Sequence, residues 1–389
     1  MLGIIHNIIS TKFAIKSINL IIDMKTNNRR KFLKKLSFAS IGLSIINPLG
    51  KQLFGFNKTP SWIDLLEVAK WCPTIHNLQP QKLKIISKDE AHLYYDPTRL
   101  LPYGDPDSVF ATVAMGVFIE HLSISAGDYG YLVNIDEIFD DISVNKKEDT
   151  LFAILKLKKS NKKESIKSAL IKKRRTSRLK YDNIVVKENI LNELKKEAQI
   201  LDNNFYYTQD KKLINSLKKI NQEALFEDLA NDNIRKELDS LFRYKKKYAE
   251  LKKDGLWAKC MGFGGDLLSS VFQNHEKWTK GLPKIILRNT YMSSFSNTKT
   301  ICWYRSSFEN TIDYINNGRM FARSWLHLTN HNLYMHPFGS LVTNASAHKK
   351  IKSIFYEKNN YKPIWMIYRI GYSKTPARSY RKETNDFLI

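Results

Sequence analysis

Cysteine is scarce in this chain, with only Cys72, Cys260 and Cys302 in 389 residues. Three thiols so far apart exclude a disulfide framework. No CxxC or HExxH spacing offers a zinc ligand set, so no metal is expected. Acidic residues are the second shortage: 38 Asp and Glu face 63 Lys and Arg, for a net charge of +25. Such an excess suits nucleic acid, anionic lipid or an anionic cofactor. The lysines, however, are scattered along helical faces among Asn and Ile, and no nucleic-acid-binding module accompanies them, so nucleic acid is not an expected partner. What is present is globular in kind. Hydrophobic residues make up 43% and charged residues 26%, and the length allows one large domain or two fused ones.

Residues 28–47 carry Arg29 and Arg30, then Phe32, Leu33 and Lys34, and an apolar run from Leu36 to Ile46. That run has the length of a signal h-region and is too short to span a bilayer unaided. The pattern resembles the twin-arginine export motif, which implies an exported or cell-envelope protein, with membrane contact through the leader. Read instead as a basic amphipathic helix, it leaves the protein in the cytoplasm. Residues 1–50 are therefore set aside as a leader or anchor.

From Ser61 the pattern turns helical, with apolar spacing over 61–71 and Ser61 as N-cap. Cys72-Pro73 must stop that helix. Thr74, Ile75, His76, Asn77, Leu78, Gln79 and Pro80 form a polar turn pinned by two prolines, and 82–86 alternates like a strand. By composition this is a helix-to-strand turn or a loop presenting backbone and amide groups to a ligand. A long apolar helix follows at about 108–127, with small residues at Ala111, Ala114, Gly116 and Ala126. Residues 165–178 read as a short amphipathic helix with Arg174, Arg175 and Arg178 at its C-terminal end, where cations favour the helix dipole. They form either a solvated basic run or a set of guanidinium forks for a phosphate. A helix is expected at 186–199, a strand at 299–304, and a helix around Gly318, Met320, Phe321, Ala322, Trp325 and Leu328 that parallels 108–127 and whose segment ends at His336-Pro337. A last core strand falls at 363–372. Residues 205–297 are Lys-rich and mostly helical by period, with a turn at Gly262, Gly264 and Gly265. The tail, 376–382, is basic.

Cys72-Pro73-Thr74-x-His76-Asn77-x-Gln79-Pro80 resembles the Ala-Pro-Ser-x-x-Asn-x-Gln-Pro-Trp segment of FMN-dependent nitroreductases, with Gln81 in place of the Trp. Arg174-Arg175-Thr176-Ser177-Arg178 resembles the Arg-Arg-Ser-x-Arg signature that opens ordinary members of that family. The Asp105-Pro106-Asp107 entry to the 108–127 helix is closer to its Acg-type branch. A family N-terminus thus recurs in mid-chain. The resemblance implies an α+β, nitroreductase-like fold: two related halves, 51–160 and 161–389, fused into a pseudo-dimer with central antiparallel sheets and packed helices. The second half would carry a lid-like helical insertion at about 205–297, in which Trp257, Phe263 and Trp278 serve as cover or as core. One FMN site would remain of two. It is implied to use Pro73, Thr74, Ile75, Asn77 and Gln79 from the first half and Arg174, Arg175, Thr176 and Arg178 from the second. Arg381 and Lys382, with Arg378 as a weaker third, would reach the phosphate from the tail.

The implied activity is hydride transfer from NAD(P)H through FMN to a small acceptor, with no catalytic side chain required. The alternative is FMN storage or sequestration without turnover; a third class is a basic peripheral membrane protein. Fusion removes the need for a dimer, so the chain is expected to act as a monomer.

Overall fold

Helical and strand-forming segments alternate along the chain in the same order twice. The computed structural model describes residues 59–139, 141–355 and 361–389; the Arg29 and Arg30 leader lies outside the described residues. The first series is α1 (Trp62–Ala69), β1 (Gln81–Ile85), β2 (Glu90–Tyr95), α2 (Val109–Gly127), β3 (Tyr131–Ile138) and β4 (Thr150–Lys159). The short α3 (Ala169–Lys173) leads into the second, which begins with α4 (Glu188–Gln199) and β5 (Asn204–Thr208). A helical insertion follows: α5 (Lys211–Ala230), α6 (Asp232–Leu241), β6 (Phe242–Arg243), α7 (Lys246–Lys252), β7 (Leu256–Trp257), α8 (Ala258–Met261), α9 (Gly265–Gln273), α10 (His275–Thr279) and α11 (Gly281–Ser293). The series resumes with β8 (Thr300–Arg305), α12 (Thr311–Asn330), β9 (Tyr334–Pro337), α13 (Ser340–Thr343), α14 (Ala345–Ile354) and β10 (Ile364–Gly371).

The two four-stranded sheets have the orders β1-β2-β4-β3 and β5-β8-β10-β9, with antiparallel neighbours throughout, and β6 and β7 pair in parallel within the insertion. In both, the fourth strand of the series lies between the second and the third. The class is α+β, with two antiparallel sheets and packed helices, and the two series share one connectivity. They differ mainly in the insertion between β5 and β8.

Local chemistry explains the boundaries. The Ser61 hydroxyl accepts from Asp64 N at 3.1 Å to start α1. Ser108, left-handed at φ 53°, gives α2 no side-chain cap. The Asp105 carboxylate substitutes, accepting from the backbone N of Phe110 and Ala111 at 3.2 and 2.9 Å. By length and a mean hydropathy of 1.6, α2 could cross a bilayer, but 83% of that window is buried inside the protein.

The two long helices meet at reciprocal glycines. A Cβ on Gly116 would lie 2.1 Å from the Ile315 carbonyl oxygen, and one on Gly318 would lie 2.0 Å from that of Val113. Val113 and Ile315 are as far apart in the chain as Gly116 and Gly318, so α2 and α12 cross about a local two-fold. The principal core gathers there, joining Leu65, Phe118, Leu122, Leu194, Met320, Trp325 and Trp365. The insertion has its own small core of Leu229, Phe242, Leu256, Val271 and Phe272.

Three expectations need correction. The helix expected over 165–178 occupies only Ala169–Lys173. Past it the chain is extended, because Ser177 N donates to Met335 O at 3.1 Å and Thr176 bridges to Met335 on the edge of β9. Residues 205–208, expected in the helical stretch, belong to β5. His336 and Pro337 close a strand, β9, rather than the helical segment.

Candidate functional site

Proline 73 frees the chain from α1, and the next residues fold back tightly. Ile75–Asn77 make one 3-10 turn, and His76, Asn77 and Gln79 are left-handed, at φ 46°, 60° and 55°. Three such residues in four are costly, on the order of 1 kcal/mol each. The surrounding hydrogen bonds hold them there. The Thr74 hydroxyl accepts from Gln79 N at 3.0 Å. Asn77 Nδ2 donates to the carbonyls of Gly255 and Tyr380 at 3.3 and 3.1 Å, and Gly255 N donates back to Asn77 O at 3.2 Å. Gln79 Nε2 donates to Lys253 O at 2.9 Å, and its Oε1 accepts from Lys382 N at 3.0 Å. Gly255 is irreplaceable in this contact: its φ is 69°, and a Cβ would stand 2.3 Å from Leu241 O. Arg99 and Arg243 converge on Asp254 at 3.1 and 2.7 Å and pin the same loop.

Asn77 and Gln79 therefore clamp together the first half, the insertion and the tail. Beneath the segment, between Thr74, Ile75, Pro80, Leu100 and Ala111, the cavity is only about 10 Å³, room for one water. A ligand can meet only the outer face. There His76 is half-buried, and its pKa falls to about 4 through burial and then the charge of Arg178.

The arginines crowd the adjoining space. Arg174 is buried, donates to Trp71 O at 3.3 Å and stacks over Trp325 at 4.5 Å. Arg381 donates to Cys72 O at 3.1 Å and to Tyr380 O at 3.0 Å. Arg378 and Arg381 lie 5.0 and 5.8 Å from the Trp71 ring centre. Arg175 donates to Pro376 O at 2.5 Å, whereas Arg178 donates no side-chain hydrogen bond among the described residues. The buried Nε atoms of Arg174, Arg378 and Arg381 have no partner, nor do Trp71 Nε1 and Trp325 Nε1. Among the described residues no carboxylate binds any of these guanidinium groups. Burial, followed by the charge of Arg381, lowers the Arg174 pKa to about 9; burial lowers that of Arg381 to about 10. His121, fully buried with both ring nitrogens unpartnered, is held neutral by burial and then by Arg174 and Arg381. Burial drives the Cys72 thiol up to about 12, against the pull of Arg381 and Arg174. Concentrated, uncompensated positive charge of this kind is suited to an anion.

The two-fold-related position is built oppositely. Arg323 on α12 stands where His121 stands on α2, and it is surrounded by acid. It meets Glu120 at 2.8 Å and Glu164 at 3.0 Å, and it also binds Glu197. Nearby, Asn203 joins Asn317 at 2.8 Å and Trp365 Nε1 at 2.9 Å, and Ser306 joins Asn317 at 2.7 Å. One position is left cationic; the other is neutralised from within.

Of the residues singled out from sequence, Pro73, Thr74, Ile75, Asn77, Gln79, Arg174, Arg175, Arg178 and Arg381 are brought to one neighbourhood. Thr176 is engaged through its backbone with Met335. Lys382 contributes its backbone N, but its ammonium lies 4.9 Å from the Phe387 ring centre. Its pKa falls to about 8, first through burial and then through Arg99. Trp257 packs on Tyr380 at 5.3 Å beside the clamp, while Trp278 donates to Ser270 at 3.0 Å within the insertion. Sequence reasoning missed His121, Cys260 and Arg369. Cys260, near Arg178 and Arg381, accepts from the Ser379 hydroxyl at 3.6 Å. Arg369 is fully buried between the rings of Tyr181 and Phe295 at 4.2 and 4.7 Å, and donates to Leu179 O and Ser294 O, both at 2.9 Å. It fixes the stretch that carries Arg178. The only sequence signal for it was a charge inside an apolar strand.

No protein-family model and no curated protein matches the chain. Among solved structures it is similar to the FMN-dependent nitroreductase NfnB of Mycobacterium smegmatis, solved with NADPH. The identity is 14%, with 56% of this chain and 94% of that one covered and a TM-score of 0.35. It is similar also to a nitroreductase-like family protein from Bacillus cereus, at 16% identity, 56% and 92% coverage and TM-score 0.32. A nitroreductase with bound FMN from Desulfitobacterium hafniense matches at 9% identity, 56% and 94% coverage and TM-score 0.34.

Proposed function

We propose that this chain is an FMN-binding oxidoreductase of the nitroreductase type, duplicated within one polypeptide and keeping a single flavin site. The observation that carries the reading is the carboxylate-free guanidinium cluster of Arg174, Arg378 and Arg381, each with an unpartnered Nε, beside the 73–79 turn. A phosphate monoester brings about two negative charges and three acceptor oxygens, the chemistry those orphaned donors lack. The acid-filled position around Arg323 supports one site per chain rather than two.

Bound FMN would supply hydride transfer between NAD(P)H and a small acceptor. The protein's part is to bind and to orient. Arg174, Arg378 and Arg381 would hold the phosphate. Arg175, anchored on Pro376 O, and Arg178, beside His76, would add fixed positive charge. The Asn77 and Gln79 clamp makes that face rigid. No general base is assigned, and His76, neutral down to about pH 4, is no proton donor at pH 7.

One observation favours the second reading, storage of FMN without turnover. The Asn77 Nδ2 and Gln79 amide groups are already bonded to Gly255, Tyr380, Lys253 and Lys382, which fastens the insertion and the tail over the turn. The proposal further includes a chain active as a monomer and a cell-envelope location through Arg29 and Arg30, or a cytoplasmic one if that leader is silent.

Titration of the flavin-free chain with FMN, followed by quenching of flavin fluorescence, tests the site. Saturation at one FMN per chain is expected, with affinity lowered about tenfold or more in Arg174→Ala and in Arg381→Ala. Saturation at two, or unchanged affinity in both variants, contradicts the reading. Reduction of the bound flavin by NADH or NADPH then separates turnover from storage.

A further inference from the structure

Independently of the flavin reading, we propose that α11, on the outer side of the insertion, docks the protein on an anionic lipid surface. Leu282, Ile285 and Ile286 are 67%, 56% and 51% exposed. Their spacing of i, i+3 and i+4 puts them on one helical face. The helix is not merely loose there, because its other side is seated. Leu287 packs against the insertion's own core, Tyr291 and Met292 pack against the neighbouring cluster, and Arg288 lies 4.7 Å from the Phe226 ring centre. Pro283 in the first turn fits a helix start. The exposed aliphatic face therefore belongs to a firmly held helix.

Charge identifies the occupant. Lys277 and Lys280 are exposed on the segment leading into α11 and Lys284 in its first turn, and Glu276 is the only acid between residues 275 and 290. An exposed aliphatic face with lysines at its entry is the composition of a helix lying in a membrane interface, its apolar side chains among the acyl chains and its ammonium groups at the phosphates. A second copy paired face to face would set these same cations against each other. An anionic bilayer instead complements both the cations and the aliphatic face, in a chain of net charge +25.

The test is co-sedimentation of the full chain with vesicles of equal parts phosphatidylglycerol and phosphatidylcholine, against pure phosphatidylcholine. Binding to the anionic vesicles only is expected. The triple variant Leu282→Ser, Ile285→Ser, Ile286→Ser should lower the partition coefficient about tenfold or more, with an unchanged melting curve. Lys280→Gln and Lys284→Gln should each lower it about fivefold. Because the basic segment before residue 59 could itself bind lipid, only the change between these variants and the parent counts. As a readout that does not depend on the triple variant folding, Ile286→Trp should be quenched by brominated acyl chains. Equal binding by parent and variants, or an unquenched Trp, overturns the proposal. So does a concentration-dependent dimer that the triple variant abolishes, which would assign the face to a second copy.

Discussion

The crossing of α2 over α12 leaves no space for a β-carbon, and Gly318→Ala measures how much the joined halves depend on it. At position 318 a Cβ would stand 2.0 Å from Val113 O, 2.9 Å from Val113 C and 3.0 Å from Val117 N. All three obstacles are backbone atoms, so no rotamer change relieves them. The helices must part by about 1 Å, which loosens close-packed contacts along both. Overpacking of this severity costs about 3 kcal/mol. Alanine returns about 1 kcal/mol through its better helix propensity. The net expectation is a loss of about 2 kcal/mol in equilibrium urea unfolding followed by circular dichroism. Gly116→Ala, its two-fold counterpart, should lose a similar amount, and the double variant less than the sum, because both act on one crossing. Gly339→Ala, where nothing lies within 4 Å of the added carbon, is the neutral control. Wild-type stability in Gly318→Ala would refute the close approach.

Arg323→Met should cost about 3–5 kcal/mol at pH 7, because it strands buried carboxylates. For Glu164 and Glu197 burial raises the pKa, but hydrogen bonds and charge from Arg323, with His327 for Glu197, outweigh it and hold both below 4.5. That stabilisation is present above the unfolded value and disappears as pH falls through the folded one, so the deficit of the variant should shrink toward pH 3. A deficit constant with pH would count against the network. Among the thiols, Cys72 and Cys302 are buried and Cys260 is half-buried, and burial raises the pKa of all three. Iodoacetamide at pH 8 should alkylate Cys260 first and about one thiol per native chain; rapid modification of Cys72 would refute its burial.

Much of the fold is legible in the sequence because its signals are local. The Ser61 cap, the Cys72-Pro73 stop, the apolar periodicity of α2 and the apolar runs of β8 and β10 each reveal an element within a residue or two, and the periodicity from Gly318 to Leu328 reveals α12 without its first two turns. The failures are non-local. Residues 174–178 look helical on their own, yet pairing with Met335, more than 150 residues away, draws them out straight. β5 hides because Tyr206 and Tyr207, on opposite faces, are both partly exposed at 40% and 38%, which erases the alternation. β2, with Glu90 and His92, β3, with Asn134, Asp136 and Glu137, and β4, with Lys156, Lys158 and Lys159, carry polar residues that mask half-buried strands. The site divides in the same way. The Asn77 turn and the Arg174 stretch stand out as motifs, whereas the orphaned donors, the acid-filled mirror position and the hydrogen bonds that occupy Asn77 and Gln79 exist only once the chain is folded. His121 is hidden by the apolar helix around it.

The central claim, one flavin held by one cationic site, is tested most directly by the absorption spectrum of the purified protein before and after anaerobic addition of NADH or NADPH. The account predicts a flavin spectrum with one FMN per chain, bleached by a reduced nicotinamide. A protein that is colourless and takes up no FMN, or one that holds two per chain, would contradict it.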